Sequence, residues 1–325
     1  MKTVFLDFDT LHPADLDTRE LDELLTSAEF WPDSSTEQLN ERLQSAEVVV
    51  VNKVHLNRET IAAASALRLI CLAATGSDNV DLDAASEQGI AVCNIRDYCT
   101  PSVIQHVFAL ILTLTQKLDA YRERVNSGEW QTSGQFCLLD PPIRELHNQT
   151  IGLIGLGALG NGVAGVARAF GMRVIAARLP WRTDAASDED GQNPPRLPLR
   201  ELLQQSDIVS LHCPLNTDTQ HIIDAGALDQ MRHDALLINT ARGGLVDSLA
   251  LVSALANNDI AGAGIDVLIE EPPTSGDPLL KAELPNLIVT PHIAWSAREA
   301  RQRALDQVLA NIVAFTRNEQ LNRLC

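Results

Sequence analysis

The stretch Ile151-Gly-Leu-Ile-Gly-Leu-Gly-Ala-Leu-Gly-Asn-Gly-Val-Ala-Gly-Val-Ala-Arg-Ala-Phe170 decides the fold. Ile151–Ile154 reads as a strand buried on both faces, because its apolar run is short and unbroken by charge. It enters Gly155-x-Gly157-x-x-Gly160, and Asn161–Phe170 continues as a helix. A GxGxxG triplet alone says little; between a strand and a helix it marks a dinucleotide-binding βαβ unit. Gly155 permits the tight turn, Gly157 lets the backbone approach a pyrophosphate, and Gly160 lets the helix pack on the strand. The helix start, at Ala158 and Leu159, then offers free N–H groups to the phosphates. The next strand, Arg173–Ala176, runs on to Arg178, with Arg182 four residues later. A carboxylate commonly stands about 20 residues past the glycines to hold the ribose 2′-OH of NAD. A guanidinium there suits a 2′-phosphate, so the reading leans to NADP(H). The alternative is that both arginines point to solvent and NAD is used.

Outward from this stretch, strand and helix patterns alternate. Upstream, Thr3–Phe8, Val48–Val51, Leu69–Ala73 and Ile90–Cys93 read as strands, with helices over Glu37–Gln44, Arg58–Ala66 and Leu82–Gln88. A long helix follows over 101–127, with Thr100 as cap, Pro101 in its first turn and Gly128 as its stop. Glu129–Gln149 reads as a loop. Downstream, Ile208–Leu211, Leu236–Asn239, Gly264–Val267 and Leu287–Thr290 read as further strands, and Asp184–Pro195 as an exposed loop. The last helix opens on Ser296-x-x-Glu299, a capping-box pattern, and runs towards Phe315. Strand–helix alternation means an α/β fold of mostly parallel sheets. The two series differ, and 325 residues suit two domains. The expectation is two doubly wound domains, one Rossmann-like and one flavodoxin-like.

Composition narrows the partners. Hydrophobic residues at 45% and charged residues at 21% suit a globular core. A net charge of −18 opposes binding to nucleic acid or anionic lipid. The six cysteines form no CxxC pair and no zinc spacing, so they read as reduced thiols of a cytoplasmic protein. The opening MKTVFLDFDT meets Asp7 and Asp9 before any apolar signal-peptide core can develop. The apolar run near Val107–Leu114 is too short to span a bilayer.

Three later segments place polar residues just past strand ends, where ligands bind in open α/β sheets. They are Leu237-Ile-Asn-Thr-Ala-Arg-Gly-Gly-Leu-Val-Asp247, Gly264-Ile-Asp-Val-Leu-Ile-Glu-Glu-Pro272 and Val289-Thr-Pro-His-Ile-Ala-Trp-Ser296. Arg242, Glu271 and His292 stand out. A lone Arg is usually a surface ion pair, and a lone His usually a satisfied structural residue. Three in this order, each after a strand, point to chemistry.

From about Val48 onward the chain resembles the D-isomer-specific 2-hydroxyacid dehydrogenases, most of all their glycerate dehydrogenase/hydroxypyruvate reductase branch. The resemblance rests on Ala74-Thr-Gly-Ser-Asp-Asn-Val-Asp81, the glycine turn, Asn239-Thr-Ala-Arg-Gly-Gly244, Asp266-Val267 with Glu271-Pro272, and Pro291-His292. It implies reversible hydride transfer between a nicotinamide and C2 of a 2-oxo acid. Arg242 would hold the substrate carboxylate in its bidentate fork. His292 would pass a proton to the forming alkoxide, for which an imidazole with an ordinary pKa of about 6.5 is suited. Glu271 would orient His292. Backbone N–H groups of Thr75, Gly76 and Ser77 would meet the substrate carboxylate, and Asn52 could reach the same cleft. Asp266 would contact the nicotinamide carboxamide, Cys213, Pro214 and Thr217 would pass the adenosine side, and Thr240 and Ala241 would lie near the nicotinamide ribose. Trp295 would either narrow the pocket towards hydroxypyruvate or glyoxylate, giving D-glycerate or glycolate, or pack at the hinge.

The resemblance further implies a discontinuous substrate domain, 1–99 plus 296–325, a dinucleotide domain, 100–295, a cleft between them, and a homodimer arm in 101–127 with the loop after it. Trp130 and Phe136 of that loop would reach the partner. No metal is implied. Thr290 stands where formate dehydrogenases carry glutamine, and Ala74 where phosphite dehydrogenases carry lysine, which argues against both activities. D-lactate- and phosphoglycerate-type activities remain as alternatives; the latter would want a further basic residue and usually a regulatory domain. A different class, a non-enzymatic nicotinamide-sensing co-repressor, tends to carry long tails that this chain lacks.

Overall fold

Val48–Val51 is four valines in a row, and β-branched side chains fit a pleated surface that is covered on both sides. All four are buried. Val49 and Val51 face one apolar layer, Val48 and Val50 the other, as the two-residue period of a strand demands. A computed structural model of the chain describes residues 1–179 and 194–325. It divides into two compact units, Met1–Cys99 with Trp295–Cys325, and Thr100–Ala294. Arg182 and most of the 184–195 stretch lie outside the described residues. No helix among the described residues is long and apolar enough to cross a membrane.

The first unit contains β1 (Thr3–Phe5), β2 (Glu29–Phe30), β3 (Val48–Val51), β4 (Leu69–Leu72) and β5 (Ala91–Cys93). All neighbours pair in parallel, in the order β2-β1-β3-β4-β5. This is the flavodoxin-like order of a doubly wound sheet. Leu39, Leu43, Ile61 and Ala85 cover one face. Ala304, Leu305, Val308 and Ile312, from the Arg298–Thr316 helix, cover the other. That helix is fastened by Arg301, whose guanidinium forks onto Asp15 at 2.6 and 2.8 Å and also donates to the carbonyls of Leu11 and Ser296.

The second unit contains β6 (Thr150–Ile154), β7 (Arg173–Ala177), β8 (Arg196–Leu197), β9 (Ile208–Leu211), β10 (Leu236–Asn239), β11 (Gly262–Ile265) and β12 (Leu287–Val289). They form one parallel sheet in the order β12-β11-β10-β9-β6-β7-β8. Counted from its own first strand, this is the Rossmann order with one strand added, and the order reverses between β6 and β9.

Several sequence expectations are corrected. The strand expected over Thr3–Phe8 stops at Phe5, because Phe8–Leu11 closes into a short 3-10 turn. The 101–127 helix is two, Thr100–Gln116 and Leu118–Asn126, broken where Lys117 takes a left-handed φ of 53°. A short helix, Glu129–Thr132, interrupts the expected loop. The strand expected over Gly264–Val267 is Gly262–Ile265. The last helix starts at Arg298 with Ala297, not Ser296, as its N-cap, and the Ser296 carbonyl accepts from Arg301. The Arg19–Leu24 helix and the two-residue strands β2 and β8 were not expected.

Candidate active site

The glycine turn leaves the end of β6. Gly155 has φ +104°, and a Cβ there would lie 2.5 Å from the carbonyl of His212. Only glycine lets this turn touch the end of β9. A Cβ on Gly160 would lie 2.2 Å from the Gly155 carbonyl, so the Ala158–Ala169 helix packs directly on the turn. Gly157, by contrast, is exposed, and a Cβ there would meet nothing within 4 Å. It is the N-cap of that helix and has no side-chain cap, so the first-turn N–H groups face open space. Nearby, Cys213 is buried and burial pushes its thiol up to about 11, which excludes a thiolate nucleophile. Burial also holds His212 down, to about 4. Its Nε2 pairs with the Ser210 hydroxyl at 2.9 Å, while its buried Nδ1 has no partner. The Thr240 hydroxyl is likewise buried and unpartnered. Buried polar atoms are nearly always satisfied, so these two orphans, His212 against the glycine turn and Thr240 past β10, fit a missing polar ligand.

Arg242, Glu271 and His292 follow β10, β11 and β12, three neighbouring strands. Asn239, fully buried, clamps the first turn: its side chain accepts from the Ala241 N–H at 3.0 Å and donates to the Arg242 carbonyl at 2.9 Å. The Arg242 guanidinium donates to the Ala241 carbonyl at 2.8 Å. A Cβ on Gly243 would lie 2.1 Å from the carbonyl carbon of Leu268, so this turn sits against the backbone leading to Glu271. One Glu271 oxygen accepts the Leu268 N–H at 2.7 Å, and the other meets Nδ1 of His292. His292 adopts φ 53°, uncommon for a non-glycine residue. Its imidazole is 27% exposed and the Glu271 side chain 31%, so the pair is reachable from solvent.

The other predicted residues fall as follows. Asp266 is fully buried, and its carboxylate accepts from the Thr290 hydroxyl at 2.5 Å and from the N–H groups of Ile293 and Ala294 at 2.9 and 2.8 Å. Arg178 is exposed just past β7, its N–H donating to the Leu197 carbonyl. Pro214 and Thr217 are exposed. Thr219, unnoticed in the sequence, ties that loop by donating to the Pro214 carbonyl at 2.7 Å.

In the first unit, Thr75 fixes the 75–77 turn: its hydroxyl donates to the Ile95 carbonyl at 2.9 Å, and its carbonyl accepts from Asn94 at 2.8 Å. The Ser77 carbonyl accepts from Val80. Asn52 is buried, with its amide donated to the Thr10 hydroxyl at 3.0 Å, a structural use of the side chain. Trp295 meets Tyr98 edge-on at 6.3 Å and packs on the core of its unit.

Comparison with known proteins adds a family. The model of the D-isomer specific 2-hydroxyacid dehydrogenase NAD binding domain matches residues 108–294. The chain belongs to the D-isomer-specific 2-hydroxyacid dehydrogenases. It is 43% identical to a glycerate dehydrogenase of Methylorubrum extorquens over 99% of this chain and 98% of that one. It is 35% identical to a hydroxypyruvate reductase of Blautia hydrogenotrophica, with 99% of each covered. Among solved structures, an acyclic imino acid reductase in complex with NADPH and D-Arg matches all of both chains, with TM-score 0.86 and 30% identity. As a member of this family, the chain is an oxidoreductase with a nicotinamide-dinucleotide domain.

Proposed function

We propose that the protein reduces a small 2-oxo acid, hydroxypyruvate or glyoxylate, to D-glycerate or glycolate, with His292 as proton donor. The observation that carries this reading is the Glu271 carboxylate on Nδ1 of His292. It fixes the ring and leaves Nε2 for the substrate oxygen. A reduced nicotinamide dinucleotide, held by its pyrophosphate at the glycine turn, would supply the hydride. Gly155, Gly157, Ala158, Leu159 and Gly160 would hold its pyrophosphate, with Cys213, Pro214, Thr217, Thr240, Ala241 and Asp266 around the rest. Arg242 binds the substrate carboxylate, and the imidazolium of His292 gives its proton as charge builds on the substrate oxygen. Exposed Arg178 supports acceptance of NADP(H). The Met1–Cys99 unit, with Thr75, Gly76 and Ser77, is the proposed substrate domain, and Thr100–Ala294 the dinucleotide domain. Exposed Trp130, Phe136, Leu139 and Ile143 support a homodimer arm. A cytoplasmic location fits six free cysteines.

The test is NADH and NADPH oxidation with hydroxypyruvate, glyoxylate, pyruvate, phenylpyruvate and 3-phosphohydroxypyruvate. Hydroxypyruvate or glyoxylate is expected to give the highest kcat/KM, and His292→Ala to lose about 10²–10⁴-fold in kcat. Turnover that survives in His292→Ala removes the proton-donor role. Faster turnover of phenylpyruvate removes the small-substrate reading.

A further inference from the structure

The Thr100–Gln116 helix crosses β11 in a register set by glycines. Leu114 lies over Gly262, where a Cβ would meet it at 3.4 Å, and Leu110 over Gly264, at 3.0 Å. Four residues of helix rise about 6 Å, and two residues of strand about 6.6 Å. The next step of this ladder therefore sets His106 over Asp266. Its Nε2 lies 3.0 Å from the Thr290 hydroxyl and 3.5 Å from Oδ1 of Asp266.

The hydrogen-bond count fixes the ring. The Thr290 hydroxyl lies 2.5 Å from the Asp266 carboxylate. An ionised carboxylate only accepts, so the hydroxyl proton is spent there and Oγ1 must accept from His106. Nε2 of His106 therefore carries a proton. Asp266 in turn holds the loop of the proton donor on three sides. Its carbonyl accepts the His292 N–H at 2.8 Å, and its carboxylate accepts the next two N–H groups. A left-handed φ at a non-glycine residue persists only where the surroundings over-determine it, and these bonds do so at His292.

We propose that His106 is a positioning residue for His292. Through the Thr290 hydroxyl it orients the Asp266 carboxylate, and that carboxylate sets the height and direction of the His292 backbone. This rests on His292 being the proton donor. It adds a residue beyond Arg242, Glu271 and His292 that the reaction depends on. The proposed role of His106 is geometric, and a misplacement of about 1 Å can cost about 10²-fold in rate.

The test compares His106→Leu, His106→Gln, Thr290→Val and the pair His106→Leu/Thr290→Val with wild type and His292→Ala, using the most active 2-oxo acid of the panel. His106→Leu and Thr290→Val are expected to lose about 10–100-fold in kcat, with KM for the 2-oxo acid, whose carboxylate Arg242 holds, within about twofold. His106→Gln, whose amide can still donate to the hydroxyl, is expected to recover most of kcat. The double variant is expected to lose no more than the worse single one, as for residues in one chain of bonds. Wild-type kcat in His106→Leu overturns the proposal. So does a loss matched by a fall in Tm and not recovered by glutamine, because that is packing. Independent, additive losses also overturn it. An active His292→Ala instead removes the reading beneath it, and is read from a separate variant.

Discussion

Glu271→Gln is the most revealing single substitution, because the structure dictates how the new amide must sit. One carboxylate oxygen accepts the Leu268 N–H at 2.7 Å. In the variant the amide oxygen keeps that place, since turning an NH2 towards the backbone N–H strands a donor at a cost of about 1–3 kcal/mol. The NH2 then faces Nδ1 of His292. Neutral imidazole tolerates this by carrying its proton on Nε2, but the imidazolium has N–H at both nitrogens and loses its acceptor. A hydrogen bond to a charged group contributes about 1.5–3 kcal/mol. At about 1.36 kcal/mol per tenfold, its loss slows proton donation by about 10–100-fold. The assay is kcat/KM for 2-oxo acid reduction across pH 5–9. The variant is expected to lose about 10–100-fold while its Tm stays at the wild-type value. Activity within about threefold of wild type at every pH would refute the coupling between Glu271 and His292.

Two further substitutions probe the frame around the site. Gly155→Ala puts a methyl at φ +104° and 2.5 Å from the His212 backbone. The left-handed backbone alone costs about 1–2 kcal/mol, so Tm should fall by at least about 2–8 °C and dinucleotide KM should rise; a thermal melt and a KM like those of wild type remove the close-packing account. Asp15→Asn breaks the fork from Arg301, which holds the Asp15 carboxyl down at about 2. A depressed carboxyl stabilises above its unfolded value of about 3.9 and loses that contribution as pH falls towards 2. The urea-midpoint gap between wild type and variant is therefore expected to be full at pH 6 and to narrow below pH 4; a gap independent of pH counts against the ion pair.

What was legible in the sequence is what neighbours along the chain decide. Val48–Val51, Ile208–Leu211 and Leu236–Asn239 form at their expected bounds, because short, mostly apolar and uncharged runs announce buried strands. The strands β2 and β8 have two residues each, and two residues carry no period. They exist by pairing with β1 and β7. The strand β11 was read two residues late, because Gly262-Ala263-Gly264 looks like a turn. It is a strand bare at 262 and 264, on the one face where Leu114 and Leu110 close on it. The order of Arg242, Glu271 and His292 after three strands was visible, and so was the glycine turn. The clamps behind them were not: Asn239, Thr290 and His106 are ordinary polar residues until the sheet brings their partners near.

Both units manage their strand ends by one device. A parallel sheet sends all its departing loops to one edge, where their N–H groups leave the ladder and still need acceptors. In the first unit Asp7, past β1, accepts the N–H groups of Asn52, Lys53 and Val54, past β3. Burial raises its pKa even against those three donors, so the ionised form is held at some cost. In the second unit Asp266, past β11, does the same for residues past β12. A carboxylate suits this place because one side chain takes several N–H groups at once, and so fixes a loop's direction as well as satisfying it. Asp7 therefore sets the loop after β3, and Asp266 sets the loop that carries His292. Rigid placement of a reactive side chain on an irregular loop requires such a clamp, since a loop has no ladder of its own.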